Sequence, residues 1–72
     1  MNEPHYTIVL EPDGDEWVAY IPALVGCHAP GETPEEALQE LDVVYRMILK
    51  EYQEEGKTLP PNVMVATGAA RG

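Results

Sequence analysis

Tyr6-Thr7-Ile8-Val9-Leu10-Glu11-Pro12-Asp13-Gly14-Asp15-Glu16-Trp17-Val18-Ala19-Tyr20-Ile21-Pro22 is the stretch that decides the fold. Tyr6 to Leu10 and Trp17 to Ile21 are rich in β-branched and aromatic residues, which suit a pleated, half-buried surface. Glu11-Pro12-Asp13-Gly14-Asp15 between them is turn chemistry, because proline presets φ, glycine accepts a positive φ and aspartate bonds its own backbone. Two such runs around such a turn predict a β-hairpin. Pro22 stops the second strand, and Pro22-Ala23-Leu24-Val25-Gly26 turns the chain again. Cys27-His28-Ala29 is long enough only for a short third strand, ended by Pro30-Gly31.

Downstream lies the clearest local signal. Thr33 can cap a helix, Pro34 suits its first position, and Glu36 stands three residues after Thr33, which makes a capping box. Glu35 and Glu36 also sit favourably at the positive end of the helix dipole. At about 100° per residue, Ala37, Leu38, Leu41, Val44, Tyr45, Ile48, Leu49 and Tyr52 share one broad face, the period of a helix packed on a sheet. Glu54-Glu55-Gly56 ends it, with Gly56 as the left-handed residue. Two prolines in Lys57–Pro61 prevent the helix from continuing. Val63-Met64-Val65-Ala66-Thr67 reads as a fourth strand and Gly68–Gly72 as a flexible tail.

The predicted order is β-β-β-α-β, an α+β fold: a three-stranded antiparallel meander, one helix on one face, and a fourth strand parallel to the first. The crossover helix allows that parallel strand, and pairing it with the first gives the spatial order 3-2-1-4. A single domain is expected over residues 1–72, with its core over about 5–67. No second helix covers the other face of the sheet. Val9, Val18 and Tyr20 would then meet water, for which they are poorly suited, so a homodimer or higher homo-oligomer is the simpler arrangement.

Seventy-two residues leave room for one small domain. Such a chain buries only roughly 60% of its unfolded surface, which again favours oligomerisation. Thirteen acids against four bases give a formal charge of −9. That balance opposes direct binding to nucleic acid or an anionic membrane, where neutralising phosphates supplies most of the affinity. Basic partners are favoured. The lone Cys27 excludes an internal disulfide framework and points to a reducing, cytoplasmic setting. Met1-Asn2-Glu3-Pro4-His5 has neither the positive nor the apolar region of a secretory signal. No apolar run approaches the roughly 20 residues that span a bilayer.

The run from Tyr6 to Pro61 resembles the HicB-like family, the antitoxin half of HicBA toxin–antitoxin pairs. The resemblance rests on Tyr20-Ile21-Pro22 at the end of the hairpin, the turn from Leu24 to Cys27, and Gly31-Glu32-Thr33-Pro34-Glu35-Glu36-Ala37 opening the helix. Gly56-Lys57-Thr58-Leu59-Pro60-Pro61 closes the pattern. It implies a partial RNase H-like fold of the same β-β-β-α-β order. It further implies binding to a small basic HicA-type toxin, an mRNA endoribonuclease. Many members carry a C-terminal DNA-binding motif; this sequence stops at Gly72, so direct DNA binding is not expected.

Catalysis is not expected. Two-metal phosphodiester cleavage needs carboxylates converging from the first strand, the helix and the last strand. Neither Tyr6–Leu10 nor Val63–Thr67 contains an acid. Asp13, Asp15 and Glu16 lack the remaining ligands of a calcium loop and read as a solvated turn. His5, Cys27 and His28 are zinc-type ligands, but neighbours on a strand point to opposite faces. The same alternation denies Cys27 a base in His28. No metal and no cofactor is expected.

The helix face turned away from the sheet is more informative. Glu36, Glu40, Val43, Met47, Glu51 and Glu54 fall together there, with Asp42, Arg46 and Lys50 alongside. An apolar centre ringed by carboxylates suits docking of a basic partner, the alternative being a solvated charged face with two incidental apolar residues. The expected function is therefore a non-catalytic, antitoxin-like binding module that covers the active surface of a HicA-type toxin. The alternative is a stand-alone oligomeric HicB-like scaffold or small-ligand sensor without a toxin.

Overall fold

The computed structural model describes residues 5–63. Three strands, β1 (Val9–Asp13), β2 (Glu16–Tyr20) and β3 (His28–Gly31), form an antiparallel sheet in the order β1-β2-β3, and α1 (Pro34–Glu55) follows. This is an α+β arrangement with one helix on one face. The expected fourth strand lies outside the described residues from Met64 onward, as does the 68–72 tail; Val63 itself is exposed and in no strand.

The hairpin is tighter than expected. Asp13 pairs with Glu16, so the loop is only Gly14-Asp15, and Gly14 takes the positive φ of 64° that the first residue of such a loop requires. The strands accordingly run three residues later than Tyr6–Leu10 on one side and begin at Glu16 on the other. Pro12 is inside β1 rather than in the turn. It is tolerated because β1 is an outer strand of the described sheet, where a missing N–H need not break a ladder. The third strand is corrected likewise: it runs on through Pro30 to Gly31, and Cys27 precedes it.

Register explains the core. Leu10, Ala19 and Ala29 share one row, with Pro12, Trp17 and Gly31 in the next row on that face. Ala19, Ile21, Leu24, Cys27, Ala29, Ala37 and Leu41 are the buried hydrophobic residues, with Tyr6, Trp17, Val44, Tyr45 and Ile48 packed against them. The residues where sheet meets helix are small, so α1 lies close. It rests chiefly over β3 and β2 and scarcely touches β1. Leu38, placed on the inward face by periodicity, is 39% exposed because it lies at the margin of that arc.

Both ends of α1 are chemically stopped. Thr33 is extended, and its Oγ1 accepts the Glu36 N–H at 3.0 Å. The Glu36 carboxylate accepts the N–H of Glu32 at 2.6 Å, one residue before the usual partner in a capping box. At the other end Gly56 is left-handed, and the Gly56 and Lys57 N–H groups donate to Gln53 and Tyr52 carbonyls. That is a Schellman motif, which satisfies carbonyls the helix leaves open. The chain then returns beside the lead-in to β1. Tyr6 donates its O–H to the Pro60 carbonyl, and Asn62 both accepts the Thr7 N–H and donates to its hydroxyl.

Candidate functional site

Burial of Ala37 and Leu41 on the inner arc of α1 forces the opposite arc outward. Glu36, Glu40, Val43, Met47, Glu51 and Glu54 are all exposed, Val43 at 54% and Met47 at 60%. Val43 and Met47 are four residues apart and therefore neighbours on the helix surface. Glu36 and Glu40 stand on one side of them along the axis, and Glu51 and Glu54 on the other. The exposed base Lys50 borders this stripe, beside both Met47 and Glu54 on the helix surface. Also beside the stripe, Arg46 Nε donates to Asp42 at 3.0 Å across one turn. Lys57 lies 2.9 Å from Glu55 and over the Tyr52 ring, and the hydrogen bond to Glu55 holds its ammonium above the usual lysine range.

The stripe continues into a cleft that the sequence did not reveal. Glu16, Pro30, Gly31, Glu32, Glu36 and Glu40 line a space of about 340 Å³ between the end of β2–β3 and the first turns of α1. It forms because Glu16 belongs to β2 rather than to the turn, and because β3 extends through Pro30. The usable signal was the pair of small residues Gly31 and Ala37, which draws the helix start against the sheet end.

On the uncovered side of the sheet, Val9, Tyr20 and His28 form one row and Glu11, Val18 and Pro30 the next. Val9, Val18 and Tyr20, the expected oligomer contacts, do share this face and are half-buried. Glu11 and Asp13 join them from β1, so the first strand does carry acids, contrary to the expectation from Tyr6–Leu10; both lie on the face away from the helix. The Tyr20 hydroxyl donates to Glu11 at 3.5 Å. A shallow groove of about 410 Å³, lined in part by Val18, Tyr20, Pro22 and Leu24, borders this face. Beside it Val25 is 95% exposed, because the turn directs Leu24 into the core and Val25 outward.

Cys27 is only 2% exposed, and burial pushes its thiol up, opposite to what activates a nucleophile. His28 is exposed on the uncovered face. Among the described residues no group of three or more His, Cys, Asp or Glu side chains could hold a metal ion. None of their helices is long and apolar enough to cross a membrane.

Fold and surface together define a small α+β protein with a carboxylate-ringed helix face. The chain is 46% identical over 57 residues to the UPF0150 protein ssl0259 of Synechocystis sp. (strain ATCC 27184 / PCC 6803 / Kazusa), a match covering 78% of each chain. It belongs to the UPF0150 family. No family model matches the chain, and no solved structure does.

Proposed function

We propose that this protein is a HicB-type antitoxin-like module that binds a small basic HicA-type endoribonuclease and covers its RNA-binding surface. One observation carries the proposal: Val43 and Met47 are exposed at the centre of a stripe ringed by Glu36, Glu40, Glu51 and Glu54. Charge complementarity selects the occupant, since a chain at −9 attracts a basic protein and repels nucleic acid. Membership of UPF0150, a HicB-like family, supports the same reading.

Magnitudes set the roles. The carboxylates steer encounter and are screened within about 8 Å at physiological salt, so they govern the association rate. Burying the exposed parts of Val43 and Met47 contributes about 1 kcal/mol each, felt in dissociation. From Glu36 to Glu54 the stripe is about 27 Å long and roughly 10 Å wide. That falls well short of the roughly 800 Å² per partner of a standard interface. The acidic cleft at Glu16, Glu32, Glu36 and Glu40 therefore belongs to the same footprint.

The uncovered sheet face is the proposed contact with a second copy. Pro12 in β1 and Pro30 in β3 each remove a donor from an outer strand of the described sheet, which disfavours pairing through those edges and leaves the face. The test of the main proposal is association and dissociation kinetics against an inactivated HicA-type toxin, with RNA-cleavage inhibition measured in parallel. Absence of binding and of inhibition would reject it in favour of the stand-alone scaffold or sensor.

A further inference from the structure

We propose that Met47 is a reversible oxidation site whose conversion to the sulfoxide switches the docking face off; this rests on the binding reading above. Met47 is the one methionine among the described residues, and its side chain is 60% exposed at the centre of the stripe. The other described sulfur, that of Cys27, is sealed in the core at 2% exposure. Of these two described sulfurs, an oxidant arriving from solvent therefore meets the thioether first.

The oxidant is a neutral peroxide. Glu36, Glu40, Glu51 and Glu54 repel anionic oxidants, whereas hydrogen peroxide carries no charge for them to act on. A lone pair on the Met47 sulfur attacks the terminal peroxide oxygen. The S–O bond forms as the O–O bond breaks, and the departing hydroxide takes the proton of the new S–OH group, leaving the sulfoxide and water. Sulfur is oxidised by two electrons and the peroxide is reduced by two. The product places a strong dipole where the interface needs an apolar centre, so it must be desolvated without a partner on binding. Oxidation leaves the fold intact because Met47 makes no part of the core.

The experiment treats the full chain with hydrogen peroxide, maps the added oxygen by peptide mass spectrometry, and measures binding to an inactivated HicA-type toxin. Met47 should gain one oxygen before Cys27 reacts, and affinity should fall at least tenfold. Methionine sulfoxide reductase should restore it. Met47→Leu, whatever its own affinity, should show no fall in that affinity on peroxide treatment. Unchanged affinity after complete Met47 oxidation, earlier reaction of Cys27, or equal peroxide sensitivity in Met47→Leu would each overturn the switch. Lysine substitutions at Val43 and Met47 separate the two claims. If they abolish binding while the sulfoxide does not, the switch alone fails; if both bind normally, the docking face fails and the switch with it.

Discussion

Gly31 and Ala37 bring sheet and helix so close that a β-carbon on Gly31 would lie 2.3 Å from the Ala37 nitrogen. The obstacle is backbone, which cannot swing aside as a flexible side chain could. Gly31→Ala should therefore lift the start of α1 off β3, costing about 2–3 kcal/mol as overpacking does. In a domain this small that lowers the Tm by roughly 10 °C or more. Thermal melts followed by circular dichroism check it, and a Tm within about 2 °C of wild type would show that the contact relaxes freely.

Glu36 has two duties, and Glu40 one. The Glu36 carboxylate accepts the Glu32 N–H as part of the helix cap, whereas Glu40 has only its place in the acidic face. Thr33→Ala should cost about 1 kcal/mol by losing its bond to the Glu36 N–H. Glu36→Gln should lower both stability and the association rate; Glu40→Gln should lower the rate alone. Urea melts beside binding kinetics separate these outcomes, and a destabilised Glu40→Gln would count against the division of labour.

Tyr6 joins the lead-in of β1 to the segment after α1 through Pro60, and its ring meets Tyr45 edge-on at 6.2 Å. Desolvation, and secondarily Tyr52, raise its pKa above the ordinary 10.0. The folded state thus holds that proton more tightly than the unfolded chain. Its stabilisation is fully present below pH 10.0 and is lost as pH rises from there through the folded-state value. Tyr6→Phe should cost about 1 kcal/mol at neutral pH and flatten the alkaline decline. An unchanged alkaline limb in denaturant melts would assign the decline to other groups.

The sequence made the helix fully readable because its signals are local: Thr33, Pro34, Glu36 and Gly56 each act within one turn. The hairpin's existence was equally plain, but its register was not. Turn residues spread over Glu11–Asp15, and only strand pairing decides that Gly14-Asp15 alone makes the loop. The helix stripe of the candidate site followed from periodicity, since exposure on α1 is the complement of burial. The acidic cleft did not, because Glu16 and Glu32 meet Glu36 and Glu40 only once β2, β3 and α1 have packed together.

On the uncovered sheet face, Val18→Lys would place charge at the middle of the proposed contact between copies while leaving the helix side of the sheet untouched. Sedimentation should show the wild type as at least a dimer at micromolar concentration and the variant shifted toward monomer. A monomeric wild type would remove this face from the account of self-association.

The central claim is that α1 docks a basic partner through Val43 and Met47, and the most direct measurement is the binding kinetics of Val43→Lys and Met47→Lys against a HicA-type toxin at several salt concentrations. Both side chains are exposed, so both variants should keep the wild-type circular dichroism spectrum and Tm. Each lysine would be buried without a partner charge, costing on the order of 2–4 kcal/mol of affinity, mostly through faster dissociation. Wild-type association should slow steeply as salt rises. Wild-type affinity in both folded variants, together with association indifferent to salt, would contradict the account.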